Sequence, residues 1–180
     1  MKRIILCCGL SAAGKSDWAK RLCEHFRFCD YVDLDEVRVF NWGAERSLTS
    51  AEHLFKNEIM RLEVKKQFII QGAELVIVNA VMLTVENHQK PFLEMAAAVG
   101  AEIKAVWFTC DLATVERRLG FRKQHPSVSP SDIMDMADFE RARVQFEAPA
   151  LYPWVKIDTS DESPEADEQR WEQILQFLAD

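Results

Sequence analysis

The chain has 180 residues, 48% hydrophobic and 28% charged, with a formal net charge of −7. This is the balance of a globular domain large enough to bury a core, and its acidity argues against a broad polyanion-binding surface while leaving room for a basic patch inside a cleft. No apolar run approaches the roughly 18 residues of a membrane-spanning helix, so no membrane partner is expected.

Lys2-Arg3 followed by Ile4 to Gly9 superficially suggests a secretory leader. The run is too short and feeds directly into a glycine loop, so it reads as a buried strand that stays in the mature protein. A helix is expected from Lys15 to about Phe26, and a second strand over Tyr31 to Leu34. Thr49 with Glu52 three residues on has the form of a capping box, opening a helix to about Ile70 that stops at Gly72. Leu75 to Val78 is a continuous aliphatic run, as expected of a parallel strand covered on both faces. Thr84 to Val99 reads as helix ended by Gly100, Ile103 to Thr109 as a fourth strand, and Leu112 to Leu119 as a further helix.

Gly120 to Pro130 is a polar, basic interruption with the character of a lid. Ser129-Pro130 has the form of an N-cap followed by proline at the first helical position, predicting a helix to about Phe146. Trp154 to Ile157 is a fifth strand. Ser163-Pro164 repeats the cap signal for a last helix carrying Trp171, Ile174, Leu175 and Leu178 on one face. Five strands alternating with helices predict a single domain, a doubly wound α/β fold with strand order 2-3-1-4-5.

Gly9-Leu10-Ser11-Ala12-Ala13-Gly14-Lys15-Ser16 satisfies G-x-x-x-x-G-K-[ST] at each fixed position, with Asp17 following. Glycines let the backbone fold its amides into one concavity, and the next helix presents its N-terminus there. Lys15 can reach β- and γ-phosphates, and the Ser16 hydroxyl can ligate Mg²⁺. The ligand expected is ATP with Mg²⁺, since neither the guanine-reading Asn-Lys-x-Asp nor an Asp-x-x-Gly switch string occurs.

A kinase also needs an acceptor pocket, a proton acceptor and cations for the transferring phosphoryl. Asp33-Leu34-Asp35-Glu36-Val37-Arg38 lies at the carboxyl end of the second strand, where open α/β sheets place ligands. Period two puts Asp33 and Asp35 on one strand face. Asp35 is then the expected base and Arg38 an acceptor ligand; a solvated turn with an ordinary ion pair is the simpler alternative. Arg117, Arg118, Arg122 and Lys123 are the cation candidates, with Arg118 and Arg122 one turn apart if the helix continues through Gly120. A solvated basic helix end is the alternative there.

In this order the three elements resemble the P-loop kinases of the polynucleotide 5′-kinase and zeta-toxin group, themselves similar to gluconate, adenylylsulfate and chloramphenicol kinases. Gly9 to Ser16 resembles the phosphate loop, Asp35-Glu-Val-Arg38 the acceptor motif, and Arg118 and Arg122 the lid arginines. Phe139-Glu140 and Trp154-Val-Lys-Ile-Asp158-Thr159 resemble a C-terminal stretch of small kinases in the group. The resemblance implies Asp35 as general base, Arg38 as acceptor ligand, and Arg118 with Arg122 as phosphate clamp. It departs at Asn79, where relatives often end the third strand with aspartate. Asparagine can bond a metal-bound water but brings no charge, leaving Mg²⁺ to Ser16, the phosphates and Asp33 or Asp35; Asn79 could equally line the acceptor pocket.

Of the five tryptophans, Trp42 is a candidate to line that pocket or to stack on a base, with simple packing as the alternative. The four histidines stand singly, without metal-ligand spacing, and His125 falls in the lid segment. The five cysteines include no C-x-x-C pair and read as structural thiols of a reducing, cytoplasmic setting. The expected activity is transfer of the ATP γ-phosphoryl to a hydroxyl acceptor. A small molecule or nucleotide is the first choice and a nucleic-acid 5′-hydroxyl the second; a non-catalytic ATP-binding module is the alternative from another class.

Overall fold

A computed structural model describes residues 1–43, 48–80, 84–125 and 135–180. In chain order run β1 (Lys2–Cys8), α1 (Lys15–His25), β2 (Cys29–Asp33), α2 (Leu34–Trp42), α3 (Ser50–Ile69) and β3 (Leu75–Asn79). A π turn (Val85–Gln89), α4 (Lys90–Val99), β4 (Ala101–Thr109), α5 (Leu112–Gln124), α6 (Met136–Gln145), β5 (Trp154–Asp158) and α7 (Pro164–Ala179) complete it. The strands form one parallel sheet of order β2-β3-β1-β4-β5, as the alternation predicts.

The alternation of side chains along β1 builds two cores. Ile4, Leu6 and Cys8 pack with Met60, Val64 and Phe68 of α3 and Phe92 and Met95 of α4. Ile5 and Cys7 point the other way, onto Trp18, Ala19 and Leu22 of α1 and Ile174 and Leu178 of α7. All of β3 is buried, so its run of four aliphatic residues has apolar partners on both faces. Each such side chain contributes about 1.5–3 kcal/mol. The sheet's carboxyl edge is thereby fixed from both sides, and the site is built on it.

Local signals account for most element ends. Thr49 and Glu52 form the reciprocal capping box, and Ser163 accepts from the Ala166 amide ahead of Pro164. Gly72 and Gly100 take the left-handed conformation that stops α3 and α4. All five cysteines are free.

Three segments differ from the sequence expectation. Residues 34–42, read as a strand end and loop, form α2, because the Asp33 side chain accepts from the Asp35 amide and caps a helix. Helix α5 passes through Gly120 to Gln124, so the first part of the supposed lid is helical; Pro126 to Pro130, with the Ser129-Pro130 cap, lies outside the described residues. Asp135 caps α6 among the described residues. The helix expected from Thr84 begins instead as the π turn, with the Thr84 hydroxyl accepting from the Asn87 amide. Among the described residues no helix is long and apolar enough to cross a membrane.

Candidate functional site

The loop from Gly9 to Ser16 joins β1 to α1 at the sheet's centre. Gly9 has φ of +136°, and a Cβ there would stand 2.2 Å from the Phe108 carbonyl oxygen of β4, so only glycine fits. Ala12 (φ 64°) and Gly14 (φ 80°) also take positive φ, turning the loop back on itself. Gly14 caps α1 without a side-chain bond, which leaves the first amides of the helix open to an anion. Asp17 lies in the first turn of α1 and, with Ser16, faces a cleft on the outer side of the loop.

Lys15 is buried, and its ammonium donates to the Leu10 carbonyl at 2.8 Å, bridging the loop from within. Burial pushes its pKa down to about 8; Asp35 and Asp33 oppose that shift and Arg122 adds to it. Lys15 therefore sits among charges from β2, α2 and α5.

Of the three α5 arginines, Arg118 and Arg122, four residues apart, have different partners. Arg122 Nη1 donates to Ser11 Oγ at 2.9 Å, and burial lowers its pKa against the pull of Asp35 and Asp17. Arg118 is clasped by protein oxygens: Nη1 donates to Ala12 O and Thr159 Oγ1, each at 2.9 Å, and Nη2 to Thr159 O at 2.8 Å. Glu162 pairs with both Arg118 (2.9 Å) and Arg117 (2.7 Å). Lys123 is exposed, and His125 stacks on Phe121 with ring centroids 4.3 Å apart.

Asp33 and Asp35 do not share a strand face. Asp33 ends β2 as a buried helix cap, and Asp35 occupies the first turn of α2, partly exposed and electrostatically coupled to Lys15 and Arg122. Asp33 accepts from Tyr31 Oη at 2.6 Å, Asn79 Nδ2 at 2.7 Å and the Asp35 amide at 2.8 Å. Asn79 Nδ2 also lies 2.9 Å from Ser16 Oγ, so the ends of β2 and β3 and the loop's last residue form one network.

Arg38 is 2% exposed, and its Nη1 donates to the Gly43 carbonyl at 3.4 Å across the end of α2. The Trp42 ring meets Phe55 edge-on at 6.2 Å. Neither is among the described residues lining the clefts beside the loop.

Two clefts flank the loop. The inner one, about 720 Å³, is lined by Lys15, Asp35, His53, Asn57, Asn79, His88 and Arg141. The outer one, about 760 Å³, is lined by Gly14, Asp17, Arg118, Phe121, Thr159 and Glu162. They meet at Ser16, Asp33, Asp35 and Arg122, which line both.

His53, Asn57 and His88 carry no sequence signal because α3 and the π turn bring them to the cleft by packing. Burial first, then Arg61 and Lys56, lowers the His88 pKa. No group of three or more His, Cys, Asp or Glu residues able to hold a metal occurs among the described residues. Ser16 Oγ, bonded to Asn79 and backed by Asp33, is an oxygen that could ligate a cation bringing most of its own oxygen ligands.

A five-stranded parallel sheet of order 2-3-1-4-5, with a glycine loop between its first strand and first helix, defines a P-loop kinase-like α/β fold. A family model described as AAA domain matches residues 4–149, and the chain belongs to that family. None of the curated proteins matches it in sequence. Among solved structures it is similar to the Mycobacterium tuberculosis APS kinase CysC in complex with AMPPNP and APS (TM-score 0.67, 19% identity, covering 99% of this chain and 98% of that one). It is also similar to a sugar kinase from a Janibacter species (TM-score 0.67, 13% identity, covering 99% and 95%). Kti12 of Chaetomium thermophilum, in complex with ADP-AlF3, is similar too (TM-score 0.65, 12% identity, covering 98% and 100%). At these identities the likeness is one of fold.

Proposed function

We propose that the protein transfers the γ-phosphoryl of ATP to a hydroxyl group, with nucleotide in the outer cleft and acceptor in the inner one. The observation that carries this reading is the junction itself: Ser16, Asp35 and Arg122 line both clefts where the loop ends. A phosphoryl group passing from one cleft to the other would cross there. The solved complexes of similar fold with AMPPNP and ADP-AlF3 support a nucleotide ligand.

The loop amides and the open N-terminus of α1 hold the phosphates. Lys15, its pKa of about 8 leaving it mostly charged at neutral pH, exchanges the Leu10 carbonyl for phosphate oxygens. Arg122 exchanges the Ser11 hydroxyl for the transferring group and offsets its developing charge. Asp35 orients the acceptor hydroxyl and takes its proton as the new O–P bond forms and ADP leaves. The donor set fits a largely hydrated Mg²⁺ held by Ser16 and the phosphates, which would supply charge neutralisation at the β- and γ-oxygens. Because the transition state is loose, position and charge outweigh base strength.

The inner cleft has the size of a small-molecule pocket, and the net charge of −7 favours that acceptor class. Titrating Mg-ATP into the protein and its Lys15→Ala variant tests the nucleotide reading: binding is expected in the first and lost in the second, and equal affinities would overturn it. A screen of ADP release across sugars, nucleosides, antibiotics and oligonucleotides tests the reaction. No release above the Lys15→Ala control would make the protein a non-catalytic nucleotide-binding module. Activity on oligonucleotide 5′-hydroxyls would fall steeply with salt, whereas small-molecule phosphorylation would not.

A further inference from the structure

The carboxylate that the third strand lacks stands one strand away. Asp33 and Asn79 are direct partners in the parallel β2–β3 pairing, each the last residue of its strand. The Asn79 amide nitrogen donates to Asp33 Oδ2 at 2.7 Å and stands 2.9 Å from Ser16 Oγ. Turning the amide over would set its oxygen against the carboxylate, so Asp33 fixes which end of Asn79 faces it. The other end, Asn79 Oδ1, is buried with no hydrogen-bond partner among the described residues, on a residue that is 4% exposed and lines the inner cleft.

An unpaired buried acceptor on a residue that lines the same cleft as Ser16 is in place to receive a donor from outside the chain once the cleft is occupied. A phosphate oxygen has no proton to offer, whereas a water bound to a divalent cation is a strong donor. Tyr31 Oη bonds the same oxygen of Asp33 and the Asp35 amide bonds the other, so the carboxylate is held at both oxygens as a fixed charge.

We propose that Asp33 and Asn79 act as one composite anchor for a hydrated divalent cation brought by the nucleotide. Asn79 Oδ1 accepts from a cation-bound water, and Asp33, through the same amide, supplies the negative charge. Both are positioning residues. The inference rests on the nucleotide reading above and makes Asn79 a relocation of the charge rather than its loss.

The test is the gain in AMPPNP affinity on adding Mg²⁺, measured by calorimetry as the ratio of Kd in EDTA to Kd in Mg²⁺. Asp33→Asn keeps a side chain able to cap α2 and is expected to raise Kd in Mg²⁺ and so cut that gain about tenfold or more, the usual effect of losing an outer partner of a metal site; a smaller gain that comes only from a lower Kd in EDTA, the relief of a charge beside Lys15, overturns the anchor. The exchange variant Asp33→Asn with Asn79→Asp returns the carboxylate to β3 with the hydrogen bond reversed, and is expected to restore the gain. Mn²⁺ electron paramagnetic resonance of the AMPPNP complex should shift in Asp33→Asn and recover in the exchange variant. A gain unchanged by Asp33→Asn, or lost in an exchange variant whose melting temperature is normal, overturns the composite anchor alone. Failure of the unaltered protein to bind AMPPNP in either medium overturns the nucleotide reading and this inference with it.

Discussion

Arg122 Nη1 donates to Ser11 Oγ at 2.9 Å, tying the last turn of α5 to the inside of the phosphate loop. Both partners line the inner cleft, so under the proposed function the bond is one that the substrate replaces. Arg118, one turn earlier, is held by Ala12, Thr159 and Glu162 on the far side of the loop.

The two arginines should therefore separate in their effects. Arg122→Ala is expected to lower kcat by about 10²-fold or more, comparable to Asp35→Asn, with little change in melting temperature. Arg118→Ala removes charge-assisted bonds to main-chain oxygens and should cost about 1–3 kcal/mol of stability in urea titrations. Steady-state kinetics beside unfolding curves check the split; equal kinetic losses with unchanged stability would contradict it. Full acceptor-dependent activity in Asp35→Asn would remove that residue as base.

The pH dependence of nucleotide binding follows from Lys15. Above its pKa of about 8 the free protein loses the ammonium that phosphates require, so ATP affinity should fall by about tenfold per pH unit. Bound phosphates raise that pKa, so binding near pH 8 to 9 should take up protons, visible as a calorimetric heat that depends on buffer ionisation enthalpy. The nucleotide-free fold responds oppositely. Between about 8 and the ordinary 10.5, the unfolded lysine holds more protons than the folded one, so this residue's contribution to stability rises with pH.

Gly9 and Gly14 should differ under substitution by alanine. At Gly9 the new methyl would meet main-chain oxygen at 2.2 Å, at a φ of +136°, so Gly9→Ala should cost about 3 kcal/mol or more. At Gly14 the nearest atoms are the Arg118 and Thr159 side chains at 3.6 Å, leaving mainly the left-handed penalty of about 1–2 kcal/mol. Thermal unfolding of the two variants checks the order; equal losses would mean that backbone conformation alone sets the cost.

The sheet order and the loop were legible because β1 and β3 are unbroken apolar runs and Gly9 to Ser16 fixes what lies between strand and helix. Helix α2 was not read, although Asp33 with Glu36 three residues on carries the signature of an N-cap. The period-two spacing of Asp33 and Asp35 suggested a strand face instead. That choice moved Arg38 and Trp42 toward the pocket in the sequence reading, whereas the helix turns Arg38 under its own end and Trp42 onto Phe55. Tyr31 meets Asp33 by the period-two spacing of β2, whereas His53 and His88 reach the cleft only through tertiary packing, which no local pattern encodes.

The shared wall between the two clefts has a consequence for inhibition. A compound whose adenosine half fills one chamber and whose acceptor half fills the other, joined by a short polyphosphate bridge, would meet Ser16 and Arg122 once while gaining contacts from both chambers. Its second half would bind at the high effective concentration set by the bridge rather than at that of the solution. The bridge length giving the tightest compound would thus measure, in phosphate units, how far donor and acceptor oxygens stand apart.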